Sequence, residues 1–134
     1  MDSTLYKWDV RPFAAGNDRC MLSYAGVHHG AEKSLLKCSW SPDSEHVTCG
    51  SADRIVHIWD STSGLFLFLF FVIFKLKIFL PHLPPVPHTG KQLYYLPGHK
   101  GSVNEVIYHQ KEPIIVSCGS DKNIYIGELL QADN

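Results

Sequence analysis

Apolar positions along this chain come in short bursts rather than in helical stripes. "IVHIWD" (55–60), "KQLYYL" (91–96), "VNEVIYH" (103–109) and "EPIIVS" (112–117) are each closed off by Gly, Pro, Asp or Ser. Runs of about 4 to 8 residues rich in Val, Ile, Trp and Tyr, separated by turn residues, are the pattern of β-strands. The turns "SPD" (41–43) and "EP" (112–113) split longer segments into strand pairs. The bursts predict one strand ending at Asp9, one near Arg19–Tyr24, four between Leu35 and Leu96, and three between Val103 and Leu129. No window reads as a long amphipathic helix, so the fold class is all-β. Along residues 55–59, Ile55, His57 and Trp59 fall on one face and Val56 and Ile58 on the other. Both faces carry apolar groups, as in strands covered on both sides within a stack of small sheets.

The chain also repeats itself. Asp2, Trp8 and Asp9 recur as Asp53, Trp59 and Asp60, and again as Asp121, Gly127 and Glu128: an Asp, six residues on a Trp or Gly, then an acid. Ahead of the third copy stands Gly98-His99, and ahead of the second a His-His pair, His28-His29. A Gly-His pair followed some thirty residues later by Trp-Asp is the mark of WD-repeat propeller blades.

Taken together, "WDVRPFA", "CSWSPD", "GSADR", "LPGHKGSVNEV", "EPIIVS" and "SDKNIYIGE" resemble the WD-repeat β-propeller family, and within it the C-terminal blades of the WD-repeat proteins of the spliceosomal U5 small nuclear ribonucleoprotein. The resemblance implies a partial propeller of two to three blades, and in each blade a hydrogen-bond chain running His, Asp, Ser or Thr, Trp. Carried onto this sequence, the third repeat has His99, Ser117 and Asp121, with Gly127 where the Trp would stand. The second has Asp53 and Trp59, with Cys49 at the Ser position and His28 or His29 as the histidine; the first has Asp2 and Trp8. On this basis Asp53 is expected to matter more to stability than Asp121. A buried carboxylate is costly without donors, and a His held by it can hold a further group. Recurrence once per repeat argues for structure over acid–base catalysis.

Residues 65–90 break the pattern. Six of the seven Phe lie in 65–80 and four of the eight Pro in 81–87. Excising them leaves "WDSTSGKQLYYLPGHKG", and the interval from Asp53 to Asp121 shortens to about 42 residues, inside the range of about 40–45 for such repeats. Three readings stay open. Phe, Leu and Pro codons are rich in pyrimidines, so the segment matches a translated intron end with its polypyrimidine tract. A genuine loop would expose an apolar patch, with "PHLPPVP" able to lie in polyproline II. A membrane segment is disfavoured: Leu65–Phe74 makes roughly 15 Å of helix against a hydrocarbon core of about 30 Å. Extension to Leu80 would bury Lys75 and Lys77 at about 2.5–3.5 kcal/mol each. The organisation expected is therefore blades at 1–64, a foreign insert at 65–90 and a last blade at 91–134, with no membrane span.

Composition adds mainly exclusions. A net charge of −1 offers no basic footprint for nucleic acid. The cysteines, at 20, 38, 49 and 118, form no C-x-x-C pair and no zinc-ligand spacing, which fits reduced, packed thiols. No carboxylate pair, activated nucleophile or phosphate loop stands out, so no catalytic residue, cofactor, metal or small-molecule substrate is assigned. Repeat units cannot cover their own faces and a propeller needs at least four blades, so the chain reads as a fragment of a propeller. By resemblance it is a nuclear, non-enzymatic scaffold in pre-mRNA splicing. Its expected partners are proteins, the large U5 subunits, with RNA met only indirectly. The alternatives are another WD-repeat adaptor, for a ubiquitin ligase or chromatin, or a membrane-associated or cytoplasmic fragment. Arg54 and Lys122, each beside a turn Asp, are the candidate rim contacts.

Overall fold

A computed structural model describes residues 2–13, 19–31, 35–62 and 89–129. The described residues form β1 (Thr4–Trp8), β2 (Cys20–Ala25), β3 (Cys38–Trp40), β4 (His46–Gly50), β5 (Ile55–Asp60), β6 (Gln92–Pro97), β7 (Val103–Tyr108), β8 (Ile114–Gly119) and β9 (Ile124–Glu128). They pair in chain order into three antiparallel sheets, β1-β2, β3-β4-β5-β6 and β7-β8-β9. The nine strands are those that the turn signals predict, with the two expected singly, β1 and β2, paired into one sheet. No helix among the described residues is long and apolar enough to cross a membrane. The run 65–80, which raised that question, lies outside the described residues.

The β3–β4 turn is built by short polar side chains. Between β3 and β4 the Ser41 hydroxyl accepts from the His46 amide at 2.9 Å and donates to Asp43, while Ser44 takes a left-handed φ of 63°. Such side-chain bonds mimic backbone turns and explain why Ser-Pro-Asp ends the strand.

The apolar cores lie between sheets, not within them. Leu22 and Tyr24 of the first sheet, with Val27 just beyond it, pack against Val47, Cys49 and Trp59 of the second. Val56 and Ile58, on the opposite face of β5, pack against Val103, Val106 and Ile115 of the third. β5 is thus buried on both faces, as its sequence pattern requires. Ladder ends reinforce the second junction: Val103 N–H donates to Ser51 O and Lys37 N–H to Asn104 O, both at 2.9 Å. Gly50 is there because nothing larger fits, since a Cβ at this position would stand 2.3 Å from the Val103 carbonyl oxygen.

Thr89 and Gly90, which composition groups with the insert, make contact with the first sheet. Thr89 bridges to Ser23, and Gly90 N–H donates to Ser23 O at 2.9 Å. Gly90 also lies against the Tyr24 ring, where a Cβ would be 2.1 Å from a ring carbon.

Candidate functional site: the turn networks and the cavity beside them

The third sheet carries an ordered polar line. Asp121 follows the β8 end, His99 follows β6, and Ser117 sits in the middle of β8. His99 Nδ1 lies 3.0 Å from Asp121 Oδ1, and His99 Nε2 lies 2.9 Å from Ser117 Oγ. The Lys100 amide donates to Asp121 Oδ2 at 2.8 Å and the Asn123 amide to Oδ1 at 3.2 Å. These backbone donors, with the Lys100 amide foremost and His99 adding to them against the opposing effect of burial, hold the Asp121 carboxyl well below the usual carboxylate range. A carboxylate only accepts, so Nδ1 is the donor toward Asp121. In the neutral ring Nε2 then accepts from the Ser117 hydroxyl, whose oxygen keeps lone pairs for a further donor.

The second sheet solves the same problem with a different histidine. His57 Nε2 lies 2.8 Å from Asp53 Oδ2, and its Nδ1 lies 2.6 Å from the Gln92 side-chain amide. Ile55 N–H donates to Asp53 Oδ1 at 3.0 Å. Burial acts to raise the Asp53 pKa, but the bonds from Ser51, His57 and Ile55 outweigh it and leave it lowered. His57 stacks on Trp59 with 5.6 Å between centroids. His28 and His29, expected as the histidine of this network, are not its members. The ladders pair Leu5 with Tyr24 and Val56 with Leu96, which places Val27 at the register position of His99. An apolar residue there cannot serve Asp53, and His57 does so from within the strand. Cys49, at the register position of Ser117, is buried, and burial pushes its thiol up to about 12.

In the first sheet Asp2 caps its own turn, accepting from the Thr4 amide at 3.3 Å and the Tyr6 hydroxyl at 2.8 Å. Trp8 is 57% exposed and tilts over Tyr6. Asp2 and Trp8 are not brought together. Relative to that sheet, Asp121 has the denser donor set, although Gly127 deprives its repeat of a Trp. Arg54 and Lys122 are both exposed, and both take left-handed φ values, 73° and 64°, directly after the turn aspartates. Asp43, Glu45 and His46 cluster in the exposed β3–β4 turn. Asp43 is already engaged there by the Ser41 hydroxyl and the Glu45 amide.

Beside the Asp121 line a cavity of about 200 Å³ opens between the second and third sheets. Leu96, His99, Ile115, Ser117, Tyr125 and Gly127 contribute to its wall. Among the described residues, a Cβ built on Gly127 meets nothing within 4 Å.

The WD domain, G-beta repeat model matches residues 15–60 and 90–126. The chain belongs to the WD40-repeat family. Its sheets are therefore propeller blades: a pair of strands, one four-stranded blade and a three-stranded one. The chain is 44% identical over 119 residues to the human U5 small nuclear ribonucleoprotein 40 kDa protein, an alignment that takes in 89% of this chain and 26% of that protein. It is 36% identical over 121 residues to the pre-mRNA-splicing factor cwf17 of Schizosaccharomyces pombe, over 90% of this chain and 27% of that protein. The chain thus spans about a quarter of the length of these relatives. Among solved structures, that of U3-55K superposes with a TM-score of 0.60 at 16% identity, covering 93% of this chain and 29% of that one. The β-propeller domain of Cps50 (Swd1) from Myceliophteria thermophila gives 0.58 at 13%, covering 96% and 35%. At such identities these two speak for the fold alone.

The Asp121–His99–Ser117 line has the order of a hydrolase triad. Here Ser117 lies inside strand β8, 7% exposed, within a WD40-repeat chain.

Proposed function

We propose that this chain contributes blades to a propeller scaffold of the U5 small nuclear ribonucleoprotein and works in pre-mRNA splicing in the nucleus. The scaffold holds protein subunits on its rims and meets RNA through them. The observation that carries this reading is the 44% identity across 89% of the chain to a U5 protein, supported by the likeness to a second splicing factor. A propeller offers rigid turns on which exposed side chains are presented without rearrangement, and rigid presentation lowers the entropy lost on binding. Arg54 and Lys122 fit that role. Each projects from a turn pinned by hydrogen bonds to its aspartate, and each takes the left-handed backbone of that turn. The brace holds the turn, and the exposed cation is left to a partner.

The test is affinity purification of the tagged chain from nuclear extract, with U5 RNA and U5 proteins read by blotting. Enrichment of both over a control WD40 chain is expected, with Arg54→Glu and Lys122→Glu together reducing it while circular dichroism stays unchanged. Recovery of neither RNA nor proteins by a folded chain would refute the splicing assignment.

A further inference from the structure

We propose that the cavity between β6, β8 and β9 is a receptor for an indole ring, delivered as the tryptophan side chain of a protein partner. β4 and β5 pair Val47 with Trp59 and Cys49 with His57; β8 and β9 pair Ile115 with Gly127 and Ser117 with Tyr125. The β1–β2 and β5–β6 ladders make Tyr24 and Leu96 equivalent in the same way. Leu96, Ile115, Ser117 and Gly127 therefore hold the positions of Tyr24, Val47, Cys49 and Trp59. In the preceding junction those four are buried together, with the Trp59 and Tyr24 rings 5.8 Å apart. The cavity is the same chamber with glycine in place of its tryptophan.

Its size and polarity agree with that origin. At about 200 Å³ it exceeds the cavity of roughly 150 Å³ that accepts benzene in an engineered protein core. Its wall is apolar at Val56, Leu96, Ile115 and Leu129. The Ser117 oxygen is held in place by His99 with lone pairs to spare for an indole N–H. Tyr125, 41% exposed, contributes an aromatic edge to the same wall. A bulky aromatic seated in a preformed pocket is the usual form of a binding hot spot. That the ring arrives on a protein rests on the scaffold reading; the chamber and its preference for an indole with a free N–H do not.

The experiment uses the full chain and three probes: indole, 1-methylindole and N-acetyltryptophanamide, followed by ligand-observed NMR titration. Saturable binding of indole and of N-acetyltryptophanamide is expected, with 1-methylindole about fivefold weaker because it lacks the donor. Ser117→Ala should bring indole down to the level of 1-methylindole. Gly127→Trp should abolish indole binding, and Gly127→Leu, a smaller filling, should weaken it if the larger side chain prevents folding. Absence of saturable indole binding, or binding unchanged in both Gly127 variants, overturns the site. Binding of indole without N-acetyltryptophanamide overturns the protein-borne occupant. Co-purification with U5 components reads the splicing assignment separately.

Discussion

Replacing Gly50 by alanine tests how closely the second and third blades must approach. The new methyl would lie 2.3 Å from the Val103 carbonyl oxygen, 2.8 Å from its carbon and 3.0 Å from Val103 Cγ1. Two of these atoms belong to backbone, so no rotamer change relieves the clash. The β7 strand must retreat by about 1 Å to restore ordinary contact. Overpacking of this kind costs about 1–3 kcal/mol. Retreat also stretches the hydrogen bond from Val103 N–H to Ser51 O, now 2.9 Å, whose net worth is about 0.5–1.5 kcal/mol. Against this, alanine lowers the entropy of the unfolded chain, a gain of about 0.4–1 kcal/mol. The net loss expected is about 2–3 kcal/mol. Gly127→Ala is the matched control, because its Cβ points into open space, and it should be stabilising by about 0.4–1 kcal/mol. Urea unfolding followed by tryptophan fluorescence measures both, and hydrogen exchange at the Val103 amide locates the damage. Equal midpoints for the two variants, or unchanged protection at Val103 in Gly50→Ala, would refute the close-approach argument.

Because the folded state lowers the Asp121 pKa, its contribution is complete above the ordinary carboxylate value near 4 and is lost as pH falls through the folded value. The urea midpoint should therefore drop between pH 4 and pH 2, and drop less in Asp121→Asn; parallel profiles would count against the brace. Trp59→Leu, at a position 1% exposed, should lose about 2–4 kcal/mol, whereas Trp8→Leu should stay within about 0.5 kcal/mol; equilibrium unfolding of the pair decides. Deleting residues 65–88 should preserve the β-sheet circular dichroism and reduce light scattering, and cDNA across this junction should lack the codons. A chain that loses its β signal on deletion, or abundant transcripts that retain the segment, would show that the segment belongs to the fold.

The strands and their grouping were legible because each is short, apolar on alternate or both faces and bounded by Gly, Pro, Asp or Ser. The Asp121–His99–Ser117 line was legible too, since its residues stand at the repeat's own spacing. His57 was missed, and Val27 hides the reason: register equivalence with His99 appears only once β2 and β6 are aligned on their partners. The signal available was an imidazole four residues after the turn Asp and two before Trp59, on the same strand face. The expectation that Asp53 outranks Asp121 followed from the missing Trp and did not take in the Lys100 amide, which donates to Asp121 whatever residue stands at position 127, while Ile55 and Asn123 donate alike to the two aspartates. Gly50 carried no pattern, because its constraint comes from β7, far along the chain. Gly127 was visible as a missing Trp, but the chamber beside it depends on how β6 and β9 face each other.

The Asp60 amide donates to Lys91 O at 2.9 Å, so the two flanks of the interrupted connection are tied side by side. For a connector whose ends are fixed, closure entropy depends only on the logarithm of its length. Shortening it from roughly 30 residues to roughly 6 recovers about 1.4 kcal/mol. That is a small share of a domain's stability of about 5–15 kcal/mol. The position is thus one where chain can be added or removed with little effect on folding free energy. Pressure against a Phe-rich addition there would act through solubility, leaving the thermodynamics of the blade almost indifferent to whether the segment is present.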